Sequence, residues 1–182
     1  MVKQKRITKD EYYLNIAKNV ALRSTCLCVT FGCIIVKDDQ IVSTGYVGAP
    51  RGTKDCLDLG YCIRRKKNVP SGSNYEMCRS VHAEMNAIIN AARAGVSILG
   101  GDLYLYCMKN EAGGKFSPVD SYPCLLCKKM IINAGINKFI GNTEKDKVIS
   151  YKISDWVKSW KTLDDLTKDN NKYKVTYKKK KK

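Results

Sequence analysis

Val81-His82-Ala83-Glu84-Met85-Asn86-Ala87-Ile88-Ile89-Asn90 and, downstream, Pro123-Cys124-Leu125-Leu126-Cys127 are the stretches on which the reading of this chain turns, and His82 is its only histidine. Together they offer one imidazole, two thiolates and a nearby carboxylate. A structural zinc usually has four protein ligands, whereas three leave a position for a water that the metal acidifies toward neutral pH. The set therefore reads as a catalytic zinc site, with His82, Cys124 and Cys127 as metal ligands and Glu84 as the residue that moves protons.

Local geometry accounts for the spacing. Val81, Met85, Ile88, Ile89 and Ala92 are apolar at steps of three and four, which predicts a helix over 81–93. His82 and Glu84 then fall in its first turn, roughly 200° apart around the axis, so both reach one metal only if it lies off the end of the helix. Pro123 introduces a second predicted helix over 124–134, with both cysteines in its first turn. Helix N-termini favour anions, so each thiolate is stabilised there and a metal can bridge two helix ends. A lone histidine is more often a packed core residue, and a lone Cys-x-x-Cys pair also occurs in redox motifs and zinc knuckles. The joint pattern is what is specific.

The chain has 182 residues, 44% of them apolar, enough for one well-buried core and short for two. A domain over 1–167 is expected, followed by a basic, disordered tail over 168–182. The net charge of +16 is mostly terminal: +7 falls in residues 168–182 and +4 in residues 1–9, leaving +5 between them. Such like-charge runs are usually solvated. Nine cysteines in a chain with a polar start and no apolar signal segment read as reduced thiols and metal ligands of a cytoplasmic protein. No apolar run reaches membrane-spanning length.

Outward from the motifs, Thr8-Lys9-Asp10-Glu11 matches a capping box, and the apolar spacing after it predicts a helix to about Leu22. The stretches 31–36 and 41–45 flank a turn at 37–40 and predict a hairpin. Residues 46–80 lack clear periodicity, and a loop this long inside a compact domain is usually functional. Further strands are expected near 103–107 and 138–140. Trp156 and Trp160, four apart, predict a last helix. This order gives an α/β fold, a mixed central sheet with helices on both faces in three layers.

Arg23-Ser24-Thr25-Cys26, Ile34-Ile35-Val36-Lys37-Asp38, Ser43-Thr44-Gly45-Tyr46, Gly48-Ala49-Pro50-Arg51-Gly52, His82-Ala83-Glu84-Met85-Asn86-Ala87-Ile88 and Ile131-Ile132-Asn133-Ala134-Gly135-Ile136 carry a resemblance. Over about residues 23–141 the chain resembles the cytidine deaminase superfamily, and most closely its deoxycytidylate (dCMP) deaminases. The resemblance implies that fold and hydrolytic deamination of a cytosine nucleotide, dCMP to dUMP plus ammonia, feeding thymidylate synthesis. It also implies one catalytic zinc per chain and a homo-oligomer, hexameric in regulated relatives. It places Ala49 and Pro50 as a wall for the base. Arg51 reads either as a partner of the 5′-phosphate or as a solvated loop charge. Val47 stands where such proteins commonly have Asn, and Cys28-Val29 where a basic pair is expected.

Cys26, Cys56, Cys62 and Cys78 cluster in sequence around the hairpin and the long loop. They read either as a second, structural zinc site of the kind some of these relatives carry, or as small buried side chains. Cys28, Cys33 and Cys107 read as buried side chains only. Three other functions remain open: a transfer-RNA adenosine deaminase, a cytidine or deoxycytidine deaminase, and a non-enzymatic zinc-dependent nucleic-acid-binding protein. The first and last suit the basic termini, although the last leaves Glu84 without a role.

Overall fold

The computed structural model of the protein describes residues 6–70 and 72–160. The tail over 168–182 lies outside the described residues. Helix α1 (Lys9–Ala21) begins at Thr8 with the expected reciprocal cap to Glu11. Strands β1 (Val29–Lys37) and β2 (Gln40–Tyr46) then form an antiparallel hairpin. Its two turn residues, Asp38 and Asp39, have φ of 50° and 61°, the double left-handed conformation that matches the twist of a two-residue hairpin. The turn is tied to α1: Tyr13 Oη donates to the Asp39 carbonyl at 2.9 Å, and Lys9 Nζ bonds the Asp39 carboxylate at 2.7 Å.

The long loop holds two single-turn helices, α2 (Cys56–Leu59) and α3 (Ile63–Lys66), and a 3-10 turn at Tyr75–Met77. After it come α4 (Ala83–Ala94), β3 (Asp102–Asn110), β4 (Phe116–Pro118), α5 (Leu125–Asn133), β5 (Lys138–Asn142), β6 (Val148–Lys152) and α6 (Ile153–Trp160). The short β4 and the edge strand β6 were not expected from the sequence. β4 has only three residues, and β6 is mostly exposed, so neither carries the alternation that marks a strand half-buried in a core.

The sheet runs β2-β1-β3-β5-β6, with β4 paired to β3. Only β3 and β5 are parallel, and α5 is the crossover that a parallel pair needs. Ile34 and Val36 face α1 together with Tyr104 and Tyr106. Cys33 and Ile35 face the other way, with Leu103, Leu105 and Phe139, toward α4, α5 and α6. Burial on both faces explains why β1 and β3 read as continuous apolar runs.

Two glycines let the helices close on the sheet. A Cβ on Gly32 would meet the Ala17 carbonyl at 2.2 Å on the α1 side, and one on Gly45 would meet the Ala87 amide at 2.3 Å and the Ala83 carbonyl at 2.4 Å on the α4 side. Ser43 Oγ donates to the Ala87 carbonyl at 2.6 Å, while Asn86 and Asn90 donate to the carbonyls of Tyr46 and Thr44, each at 2.7 Å. The edge strand β2 is thereby fastened to α4. Gly45→Ala must push the helix back, and overpacking of this kind costs ~1–3 kcal/mol. Denaturant unfolding should show that loss, with lower zinc content because His82 directly precedes α4. An unfolding midpoint equal to wild type would contradict this account of the contact.

Candidate active site

His82 is the residue before α4 and Cys124 the residue before α5; each takes the extended backbone of a helix N-cap, φ −70°, ψ 154° and φ −64°, ψ 166°. The two helices are thus one to two residues shorter at their starts than periodicity predicts. Extended N-cap backbone turns each side chain off the helix end, where the sequence argument requires the metal to lie. His82 Nδ1 is 3.4 Å from Cys124 Sγ and 3.4 Å from Cys127 Sγ. Among the described residues this is the one group of three or more His, Cys, Asp or Glu ligand atoms lying within 4.8 Å of one another. A tetrahedral zinc with bonds of about 2.1 Å to nitrogen and 2.3 Å to sulfur has an N···S edge of about 3.6 Å. The three side chains fit that ion.

Hydrogen bonding from Cys127 draws Cys124 down to about 4 against the opposing effect of burial, with help from His82. Cys127 is correspondingly pushed up, first by sharing a proton with Cys124 and then by burial. Burial works against a charged His82, but the hydrogen bond to Cys124 and the charge of Glu84 outweigh it and raise its pKa. Cys124 is therefore the sulfur that releases its proton more readily, and metal binding draws the remaining protons from such ligands.

Glu84, 3% exposed, sits in the first turn of α4 outside the ligand group but within hydrogen-bond reach of Cys127. Burial raises its pKa, partly offset by His82. Its other neighbours include the thiols of Cys33 and Cys107, which burial holds protonated. Desolvation favours the protonated carboxyl, so a buried carboxylate accepts a proton more readily than one in water.

His82, Glu84 and Cys124 line a cavity of about 480 Å³ whose apolar walls include Phe31, Val47, Leu105 and Tyr122. The long loop returns to this cavity through a two-way bridge in which Val81 N donates to the Gly48 carbonyl at 2.7 Å and Gly48 N to the Val81 carbonyl at 3.2 Å. From the loop, Tyr75 meets the His82 imidazole edge to face at 4.8 Å. The segment leading to Cys124 is held by Asn142, buried at the end of β5. Its amide accepts from Cys107 N at 2.8 Å and donates to the Val119 carbonyl at 3.1 Å. Neither Tyr75 nor Asn142 was singled out from the sequence: the partners of Asn142, Cys107 and Val119, lie far along the chain, and the contact of Tyr75 with His82 depends on how the 3-10 turn folds.

Ala49, Pro50 and Arg51 are not among the residues lining the cavity. The Arg51 guanidinium instead donates to Asn90 Oδ1 at 2.7 Å on the exposed side of α4. Cys56 is buried, with Cys26, Cys62 and Cys78 as electrostatic neighbours, and Cys28 hydrogen-bonds Cys62. No three of these sulfurs lie within 4.8 Å of one another, so the structure gathers these cysteines without closing a ligand set. All nine cysteines are free of disulfides. Among the described residues no helix is long and apolar enough to cross a membrane.

Residues 7–143, which contain every ligand of this group, match the family model of the cytidine and deoxycytidylate deaminase zinc-binding region. The chain belongs to that family. The deoxycytidylate deaminase of Schizosaccharomyces pombe is 33% identical over 134 residues, 74% of this chain but only 37% of its own length. That of Mycobacterium phage D29 is 35% identical over 136 residues, 72% of this chain and 91% of its own. The crystal structure of dCMP deaminase from the cyanophage S-TIM5, in apo form, has a TM-score of 0.53 at 25% identity, covering 76% of this chain and 86% of that one. Within the matched residues, the group that could hold a metal comprises the N-caps of α4 and α5 together with Cys127 on the first turn of α5.

Proposed function

We propose that this deaminase-family protein hydrolyses dCMP to dUMP and ammonia. The observation that carries the proposal is the buried Glu84 beside the His82, Cys124 and Cys127 group at the floor of a cavity of about 480 Å³. Relatives named deoxycytidylate deaminase at 33–35% identity support the substrate.

His82, Cys124 and Cys127 would hold a zinc ion, whose contribution is to lower the pKa of a water toward neutral so that it serves as nucleophile. Glu84 does the proton work. As oxygen bonds to C4 of cytosine, the carboxylate takes one proton from the water and delivers it to N3. It then passes the second to the exocyclic nitrogen, the C4–N bond breaks, and ammonia leaves behind a C4 carbonyl. Val47, Phe31 and Leu105 exclude bulk water from the floor, which strengthens each of these interactions.

The decisive assay is ammonia release by zinc-loaded protein from dCMP, CMP, deoxycytidine and a transfer RNA. dCMP should be fastest, and release from transfer RNA alone would replace this reading with the adenosine deaminase one.

We also propose that Cys26, Cys56, Cys62 and Cys78 close around a second, structural zinc. Support comes from the burial of Cys56 with the thiols of Cys26, Cys62 and Cys78 as its electrostatic neighbours. Metal analysis should give two zinc ions per chain, falling to one in Cys56→Ser. One zinc in the replete protein, unchanged by that substitution, would leave these cysteines as small buried side chains.

A further inference from the structure

Among the described residues, three basic side chains line the active-site cavity: Arg64, Arg65 and Lys109. Arg64 is already committed. Its guanidinium donates to the carbonyls of Pro70 at 2.8 Å, Asn74 at 2.7 Å and Ser73, and it lies 5.2 Å from the Tyr75 ring centre. It therefore folds the loop around Tyr75.

Arg65 and Lys109 differ from it. Both are exposed, and neither side chain has a hydrogen bond or ion pair with another described residue. Arg65 stands on α3, with the Cys28 and Cys62 thiols as its electrostatic neighbours. Lys109 stands on β3, directly opposite Val29 in the β1 ladder, and Val29 follows Cys28. Directly opposed residues of an antiparallel pair point to the same face of the sheet, and Val29 and Leu105 line the cavity with Lys109. Two cations thus line the cavity from different elements, α3 and β3. Among the described residues the only carboxylate lining the cavity is Glu84, which is buried.

A phosphate monoester carries about −1.5 to −2 charges at pH 7. A guanidinium engages it through two parallel hydrogen bonds, and an ammonium adds a compact point charge. We infer that Arg65 and Lys109 together hold the 5′-phosphate of the nucleotide at this cavity, and that this pair selects a mononucleotide over a nucleoside. The inference rests on the deaminase reading of the site. Arg51, bonded to Asn90 and absent from the lining, is the comparison residue.

The test compares Arg65→Ala, Lys109→Ala, the double variant and Arg51→Ala, each checked for zinc content and unfolding midpoint. In the double variant kcat/KM for dCMP should fall at least about thirtyfold, mainly through KM, because a charge-assisted contact to substrate is lost. Turnover of deoxycytidine should stay within about twofold, and Arg65→Lys should restore part of the loss. Calorimetric binding of dUMP against deoxyuridine gives a readout independent of turnover; the wild type should prefer dUMP and the double variant should not. A preference that survives in the double variant, or that disappears in Arg51→Ala alone, overturns the assignment while leaving the deaminase reading in place. Equal binding of dUMP and deoxyuridine by the wild type also overturns it. If no cytosine compound is deaminated but the dUMP preference is present and is lost in the double variant, the phosphate assignment stands and the deaminase reading fails.

Discussion

Glu84→Gln should lower turnover of dCMP by at least ~10²-fold, the lower bound of what positioned proton transfer contributes, while zinc content stays at the wild-type value. Glutamine preserves the size of the side chain and retains an oxygen able to accept from Cys127, so the 3% exposed position can be filled without a void. What it lacks is an exchangeable carboxyl proton. Because burial raises the pKa of Glu84, the native carboxylate takes a proton from water more easily than a solvated one and then has a proton to return. Glutamine does neither. The metal is unaffected because Glu84 lies outside the group formed by His82, Cys124 and Cys127. Single-turnover assays together with metal analysis separate the two effects. Retention of more than about a tenth of the wild-type rate is incompatible with a shuttle worth ~10² or more, and loss of zinc would make Glu84 a ligand instead.

Cys124→Ala should remove both the zinc and the activity. Three donors leave no redundancy, and Cys124 is the sulfur drawn down to about 4, first by its hydrogen bond from Cys127 and further by His82. The same variant should lose stability to added metal. Zinc held by the proposed ligands would bind the folded protein at the N-termini of α4 and α5, and a ligand at a hundred times its Kd contributes about 2.7 kcal/mol. A chelator should therefore lower the unfolding midpoint of the wild type and leave that of Cys124→Ala nearly unchanged. Full zinc retention in Cys124→Ala would show that the metal is held elsewhere. Stripping zinc without any fall in deamination would remove the metal from the mechanism.

The same division between near and distant contacts explains which parts of the protein are legible in the chain. The Thr8 capping box, the 38–39 turn, the starts of α4 and α5 and the placing of His82, Glu84, Cys124 and Cys127 all depend on residues within a few positions of one another. Helical period, N-cap preference and turn conformation act over that range, so the spacing in the sequence is already a statement about geometry. Arg51 shows the opposite case. It follows a recognisable Gly-Ala-Pro stretch, yet its partner is Asn90, reached only after the loop has closed through the Gly48 and Val81 bridge.

By itself the sequence determined the chemistry at the floor of the site: one imidazole, two thiols and one carboxylate at the ends of two helices, carried on an α/β sheet. Only the tertiary structure decided what surrounds that floor. Lys109 meets the cavity because of the register of β3 against β1, and Cys26, Cys62 and Cys78 become neighbours of Cys56. Such contacts join residues many positions apart, and the free energy that selects them comes from packing of the whole sheet and loop, which leaves no periodic trace in the residues themselves.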